Sequence, residues 1–310
     1  MPDPSFDLSF HANGKLLLSG EYFVLDGAKA LALPTIRGQW LHVNFSNTAT
    51  IHWTALDYNQ TVWLEAKLQL SDLRLLSASD HAGGQRLQQI LQQAQKQNPH
   101  FLKNINGCQV QTQLEFPRKW GLGSSSTILS CMARWADIDA YELLEQTMGG
   151  SGYDLACAEN DQPIVYWRED KRAHHRPSPF SPPFASQLYF VYLGKKQNSR
   201  EGIKRYRERS GKLAAQIERI SQLSLNMEQC ESLTAFEAML LEHEWLVAKT
   251  LDLPRAQDLY FSTYPGVIKS LGAWGGDFVL ATSRAGDGPT KKWFNELGYS
   301  VVFKYDELIR

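Results

Sequence analysis

The chain has 310 residues and 43 % hydrophobic content, enough to bury the core of one large domain or two ordinary ones. Lys plus Arg number 32 against 33 Asp plus Glu, a balance that gives no long-range field for nucleic acid or an anionic membrane, so any bound anion has to be gripped locally. No apolar run approaches the ~18 residues of a membrane span, no signal peptide is readable in the polar, proline-broken opening, and Cys108, Cys131, Cys157 and Cys230 form neither a CxxC pair nor a disulfide framework, which points to buried thiols in a reducing, cytoplasmic setting.

The first 65 residues are strand-rich, with β-branched and aromatic runs at Lys15–Ser19, Gln39–Phe45, Ile51–Ala55 and Thr61–Glu65 separated by Asn, Asp and Gly turns. Gln85–Gln97 carries Leu87, Ile90, Leu91 and Ala94 at helical spacing and stops before Asn98-Pro99, leading into a strand at Ile105–Leu114. Helices are predicted over Ser125–Trp135 and Ala140–Thr147. Between Arg168 and Ser186 the four prolines Pro177, Pro179, Pro182 and Pro183 break both helix and central strand, and the domain boundary is placed there, giving domains 1–183 and 184–310. Beyond it come a strand at Leu188–Leu193, a charged turn, long helical patterns over Arg200–Gln222 and Glu228–Leu251, strands at Val267–Leu271 and Phe278–Thr282, a short helix Thr290–Leu297 and a last strand Ser300–Lys304. In the second long pattern Phe236, Met239, Leu240 and Trp245 share one face and are expected to be buried. The fold class is α+β in two lobes.

Pro117-Arg118-Lys119-Trp120-Gly121-Leu122-Gly123-Ser124-Ser125-Ser126 lies between a predicted strand and a predicted helix. A polyphosphate needs backbone N–H groups unobstructed by side chains, and two glycines followed by small hydroxyl residues at a helix start provide them, with the helix dipole adding attraction. The competing reading is an ordinary turn with Ser124 as helix cap. Neither the Gly-Lys-Ser/Thr ending of a P-loop nor the spacing of a dinucleotide turn is present.

With two further segments this loop resembles the second signature of the GHMP kinases, PxxxGLGSSA, with Ser126 in place of alanine. Gly14 to Leu25 is similar to the PGKxxLxGEyxVL element of the mevalonate-pathway members, with Asn13 where proline is usual. Lys269 to Asp277 is similar to KxxGAGGGD, with Trp274 in place of a glycine. The order is the family's, and Ser151-Gly152-Tyr153-Asp154 supplies an SGxD element. The resemblance implies an N-terminal lobe like ribosomal protein S5 domain 2 and a ferredoxin-like C-terminal lobe.

It also implies ATP and Mg²⁺ as cofactors, with Asp154 accepting the proton of the attacking oxygen and Lys15 stabilising the reacting charge. Gly121, Leu122, Gly123, Ser124, Ser125 and Ser126, with Gly272, Ala273, Gly275 and Gly276, would bind nucleotide. Ser125 matches the Mg²⁺ position. Its carboxylate partner is expected upstream of the SGxD element, with Glu142 and Glu145 the candidates and Glu145 placed first. Glu21, Tyr22, Ser151, Gly152 and Asp277 fall to the substrate. Lys195 and Arg200, in a basic turn between a strand and a helix, would suit a phosphorylated one. Trp274 either packs or stacks on a ligand. Tyr22, the Gly152 to Ala156 run and Asp277 lean toward phosphomevalonate kinase, with mevalonate kinase as the alternative. A diphosphomevalonate decarboxylase, which would carry an Ala-Cys-Arg-Ser type element where this chain has Ser-Gly-Tyr-Asp, and a non-catalytic nucleotide-binding protein are the readings of a different class. A small-molecule substrate is the expected partner of a monomer or homodimer, with no nucleic acid or membrane.

Overall fold

A computed structural model of the protein describes residues 5–170, 172–195, 199–209, 213–272, 274 and 276–310. In chain order the elements are β1 (Leu8–Leu17), β2 (Ala30–Phe45), β3 (Thr50–Leu56), β4 (Val62–Gln69), β5 (Leu75–Ala78), α1 (His81–Gln97), β6 (Cys108–Leu114), α2 (Ser124–Ala136), α3 (Ala140–Thr147) and α4 (Tyr153–Ala158). There follow β7 (Ile164–Glu169), β8 (Arg172–Pro177), β9 (Leu188–Tyr192), α5 (Ser199–Arg209), α6 (Ala214–Glu228), α7 (Leu233–Leu251), α8 (Ala256–Tyr260), β10 (Ile268–Ser270), β11 (Phe278–Thr282), α9 (Asp287–Glu296), β12 (Val302–Lys304) and α10 (Tyr305–Leu308).

The chain groups into two compact units. One runs up to Gly14 and takes in Arg37–Arg118 and Leu122–Glu159. The other comprises Lys15–Ile36, Lys119–Gly121 and Asn160–Arg310. Residues 160–183, which lie before the expected boundary, therefore group with the C-terminal half, where β8 forms an edge strand that tolerates Pro177 at its end.

In the first unit β5, β4, β3 and β6 pair in that order, and β6 pairs onward with residues 39–45 of β2. The sequence of β6, Cys-Gln-Val-Gln-Thr-Gln-Leu, alternates buried and more exposed positions along its whole length, as a half-covered strand should. Helices α1, α2 and α3 pack on one another. Their Leu91, Leu129, Met132 and Leu143 join Leu41, Val43, Ile51 and Trp53 in one core. Asp80 and Asp139 cap α1 and α3 through bonds from the first-turn amides.

In the second unit residues 30–32 of β2 pair with β7, and β7 with β8. A separate antiparallel sheet has the order β10-β11-β9-β12. Its inner strands read Phe-Val-Leu-Ala-Thr and Leu-Tyr-Phe-Val-Tyr and are buried nearly throughout. The single helix expected over 200–222 is two, α5 and α6, and α7 starts at Leu233 under a Ser232 cap rather than at Glu228. Trp245 is 60 % exposed, outside the face formed by Phe236, Leu240 and Val247, and Arg255 stacks its guanidinium 4.4 Å from the ring centre. No helix among the described residues is long and apolar enough to cross a membrane.

Gly20 shows how tightly the second unit closes around its first turn. Its φ of +93° is one that side-chain-bearing residues avoid, and a Cβ there would lie 2.5 Å from the Cβ of Ala30. Gly20→Ala is expected to lower unfolding stability by about 2–4 kcal/mol, overpacking and backbone strain together, in a urea titration followed by circular dichroism.

Candidate functional site

Residues 119–121 are held by aromatic packing and one hydrogen bond. The Trp120 ring lies 5.3 Å from that of Phe303, 5.9 Å from Phe278 and 6.0 Å from Tyr192, and the Tyr192 hydroxyl donates to the Lys119 carbonyl at 3.0 Å. The chain then reverses at Gly121, whose φ is +69°. Any Cβ on Gly121 would lie 2.2 Å from an oxygen of Asp277, so the carboxylate occupies the space a side chain would need. Lys15 donates from Nζ to the Gly121 carbonyl at 3.1 Å. One residue from each of the three signature-like segments thus meets at Gly121.

Leu122 is fully buried, so only its backbone could face a phosphate. Gly123, at φ +92°, caps the 13-residue α2, and no side chain of the cap bonds the first-turn amides. The amides of Ser126 and Thr127 turn back to the Gly123 carbonyl, at 2.9 and 3.0 Å. Those of Ser124 and Ser125 lie at the helix mouth, where the helix cannot use them itself. Ser125 is exposed, Ser124 and Ser126 half-buried. Gly123 therefore takes the cap position that the alternative reading gave to Ser124. The mouth has the uncapped amides, hydroxyls and dipole that suit a phosphate chain.

Asp154 sits half-buried in the first turn of α4, which packs against α2. Gly152, buried and at φ +89°, is the cap of α4, so Asp154 is not its capping residue; Ser151 before it is half-buried. Glu145 and Glu142 are exposed on α3, where Gln146 donates to Glu142 at 2.8 Å. The third segment leaves β10 through Gly272, half-buried at φ +63°, and reaches the buried Gly276. Ala273 and Gly275 lie outside the described residues. Trp274 is 3 % exposed and packs with Tyr22, Phe23, Ala28 and Tyr206, which selects the packing reading. The Asp277 amide donates to the Lys195 carbonyl at 2.7 Å, and the exposed Lys195 ammonium lies 5.1 Å from the Tyr260 ring centre. Arg200 lies in the first turn of α5, and its side chain lies outside what the structure describes.

Two residues expected at the substrate are buried. Glu21 is fully enclosed: its carboxylate takes a hydrogen bond from Lys269 Nζ at 2.5 Å and another from the Gly272 amide. Tyr22 is 7 % exposed in the Trp274 cluster, with its hydroxyl end so close to Gly202 that a Cβ there would lie 2.1 Å away.

Around Glu21 stands a group that motif reading did not assign: Lys269, His243 and Glu244, each 0 % exposed. Lys269 also donates to the Ser270 carbonyl at 2.8 Å, Glu244 accepts from the Ser270 amide at 3.0 Å, and His243 Nε2 accepts from the Gly20 amide at 2.9 Å. A ring nitrogen that accepts carries no proton, and burial together with Lys269 holds the imidazole pKa well below its usual value, so the ring is neutral and its 3.2 Å contact with Glu21 is no ion pair. One ammonium then faces two carboxylates without water. Burial raises both carboxyl pKa values, pushing Glu244 up to about 8 against the pull of Lys269. Glu244 accordingly retains its proton at neutral pH. The signal was in the sequence: Glu244 repeats the spacing of Phe236 and Leu240, on the apolar face of α7.

A carboxyl whose folded pKa is raised binds its proton more tightly when folded, so its contribution to stability is full below the unfolded value of 4.5 and lost as pH rises toward 8. Neutral His243 acts in the opposite sense, but only below its unfolded value of 6.5. Between pH 6.5 and 8 the chain is therefore expected to lose stability with a slope approaching ~1.4 kcal/mol per pH unit, the value for one proton. Glu244→Gln should flatten it, in urea titrations at half-unit pH steps.

No protein-family model matches the chain, and no curated protein matches it in sequence. Solved structures do. The mevalonate kinase of Methanococcus jannaschii superposes with a TM-score of 0.71 at 13 % identity, over 97 % of this chain and 98 % of that one. The Streptococcus pneumoniae phosphomevalonate kinase in complex with phosphomevalonate and AMPPNP gives 0.68 at 17 % identity, over 96 % and 99 %. Lactococcus lactis galactokinase complexed with galactose gives 0.68 at 11 % identity, over 96 % and 92 %. Over nearly its whole length the chain has the α+β fold of these mevalonate, phosphomevalonate and galactose kinases, the GHMP-kinase fold.

Proposed function

We propose that the protein is an ATP-dependent small-molecule kinase of the GHMP type, acting in the mevalonate pathway, with phosphomevalonate as the first acceptor to test and mevalonate as the second. The observation that carries this reading is the uncapped, glycine-led mouth of α2, beginning two residues after the turn at Gly121 where Lys15 and Asp277 converge. The S. pneumoniae enzyme of the same fold was solved with phosphomevalonate and AMPPNP, which supports a nucleotide and a phosphorylated acceptor here.

In this reading the amides of Ser124 and Ser125 bind phosphate oxygens, and Lys15 adds positive charge where the transferred group becomes negative. Among the described residues no three His, Cys, Asp or Glu side chains gather to hold a metal. Mg²⁺ takes few protein ligands and would rest on the Ser125 hydroxyl, with Glu145 as the proposed carboxylate. When bound, it would neutralise negative charge on the nucleotide's phosphates. Asp154 accepts the proton of an attacking hydroxyl as the acceptor oxygen bonds to the γ-phosphorus and the bond to the leaving ADP oxygen breaks. Lys195 and Arg200 are proposed for the acceptor's own anion. The compartment proposed is the cytoplasm, with monomer or homodimer as the assembly.

The acceptor changes what Asp154 has to do. A hydroxyl must lose a proton to react, whereas the second ionisation of a phosphate monoester lies near 6, so at neutral pH it attacks already deprotonated. ADP release should be measured with mevalonate, 5-phosphomevalonate and a panel of sugars and amino-acid alcohols. Asp154→Asn is expected to lower turnover at least ~10²-fold on a hydroxyl acceptor and clearly less on a phosphate acceptor. No turnover with any of them and no ATP·Mg²⁺ binding by calorimetry would reject the kinase reading. Gly121→Ala, which sets a methyl against the Asp277 carboxylate, is expected to weaken ATP·Mg²⁺ binding at least ~10-fold, a loss of about 1.4 kcal/mol.

A further inference from the structure

We propose that Lys269, through Glu21 and with His243, is a positioning residue that locks the turn after β1 to the glycine turn after β10, and so sets the two side chains that meet at Gly121. In its catalytic part this rests on the kinase reading above. The geometry is one of paired fixed points. Lys15 and Gly20 are five residues apart in the first signature-like segment, and Gly272 and Asp277 are five apart in the third. At one end Lys15 bonds the Gly121 carbonyl while Asp277 packs on the Gly121 Cα. At the other, the Gly20 amide is bound by His243 and the Gly272 amide by Glu21, the carboxylate that Lys269 holds. Tyr22 and Trp274 pack in one cluster in between.

Both turns need the help. Gly20 and Gly272 have positive φ, and so do the non-glycine residues Tyr22, Trp274 and Asp277, at 63°, 53° and 54°. Such conformations are unfavourable for side-chain-bearing residues and persist where surrounding structure over-determines them. Lys269 can play this part because it is enclosed: without water to compete, the ammonium and the carboxylate have few partners besides each other and the backbone groups they bind. A mobile surface ion pair would transmit no such order.

The test compares wild type with Lys269→Met, which keeps the length of the side chain and removes its charge, and with Glu21→Gln, a near-isosteric change that remains usable should the first variant not fold. Amide hydrogen exchange is followed in the peptides covering 18–24 and 271–278, with β9 and β11 as internal reference. The expected result is exchange accelerated at least ~10-fold more in those two peptides than in β9 and β11. Unchanged exchange there, or the same acceleration in every peptide, would overturn the proposal. On the acceptor that wild type turns over, kcat should fall at least ~10-fold in both variants, with KM for ATP changing less than ~3-fold, because the phosphate-binding amides of α2 are untouched. Unchanged kcat would overturn the catalytic part. The exchange measurement needs no substrate, so a wild type inactive on every acceptor would count against the kinase reading while leaving the exchange result to judge the lock.

Discussion

The interaction on which the second unit depends is the contact between Lys269 and Glu21. Neither side chain reaches solvent, so each would lose its hydration with no return unless the other met it at hydrogen-bonding distance. Removing one partner of such a pair costs about 3–5 kcal/mol, because the other is left as an unpaired buried charge. The two residues are 248 apart in sequence. A pair so costly to misplace fixes the turn after β1 and the end of β10 together, and the tight packing at Gly20 and around Trp274 follows from that fixed point.

The glycine-serine turn obeys a different constraint, that of access. Its approach is anchored by Trp120 among three aromatic rings, and its Leu122 is sunk in the interior, yet Ser125 stands in solvent and the α2 mouth is uncapped. A structural helix start would gain stability from a capping side chain; here the serines sit one position too late and a glycine takes the cap. Stability forgone at this point is what the proposed binding of phosphate would require, since a side chain seated on those amides would compete with it.

Much of this could be read from the residues. Periodicity located β6, α2 and α3 closely, because alternation and helical spacing are strong there and the flanking punctuation is clear. The sequence between α5 and α6 carries Ser210-Gly211, a helix-disfavouring turn signal that the expectation of one helix passed over. Trp245 was placed on the wrong face: nine residues from Phe236, it falls about half a turn around the helix, and its ring is covered by an arginine instead of the core. Glu21 and Tyr22 were assigned to the substrate by their place in a motif, and motif position does not tell whether a side chain is exposed or buried. His243 and Glu244 carry no motif, and only their place on the apolar side of α7 marks them.

Asp277 fills the space beside Gly121 where a side chain would otherwise stand. Heritable change at these two positions is therefore linked. Residue 121 can gain a methyl without meeting this carboxylate only where residue 277 has already shrunk, whereas shrinkage at 277 alone meets no such barrier, so the order of the two changes is constrained.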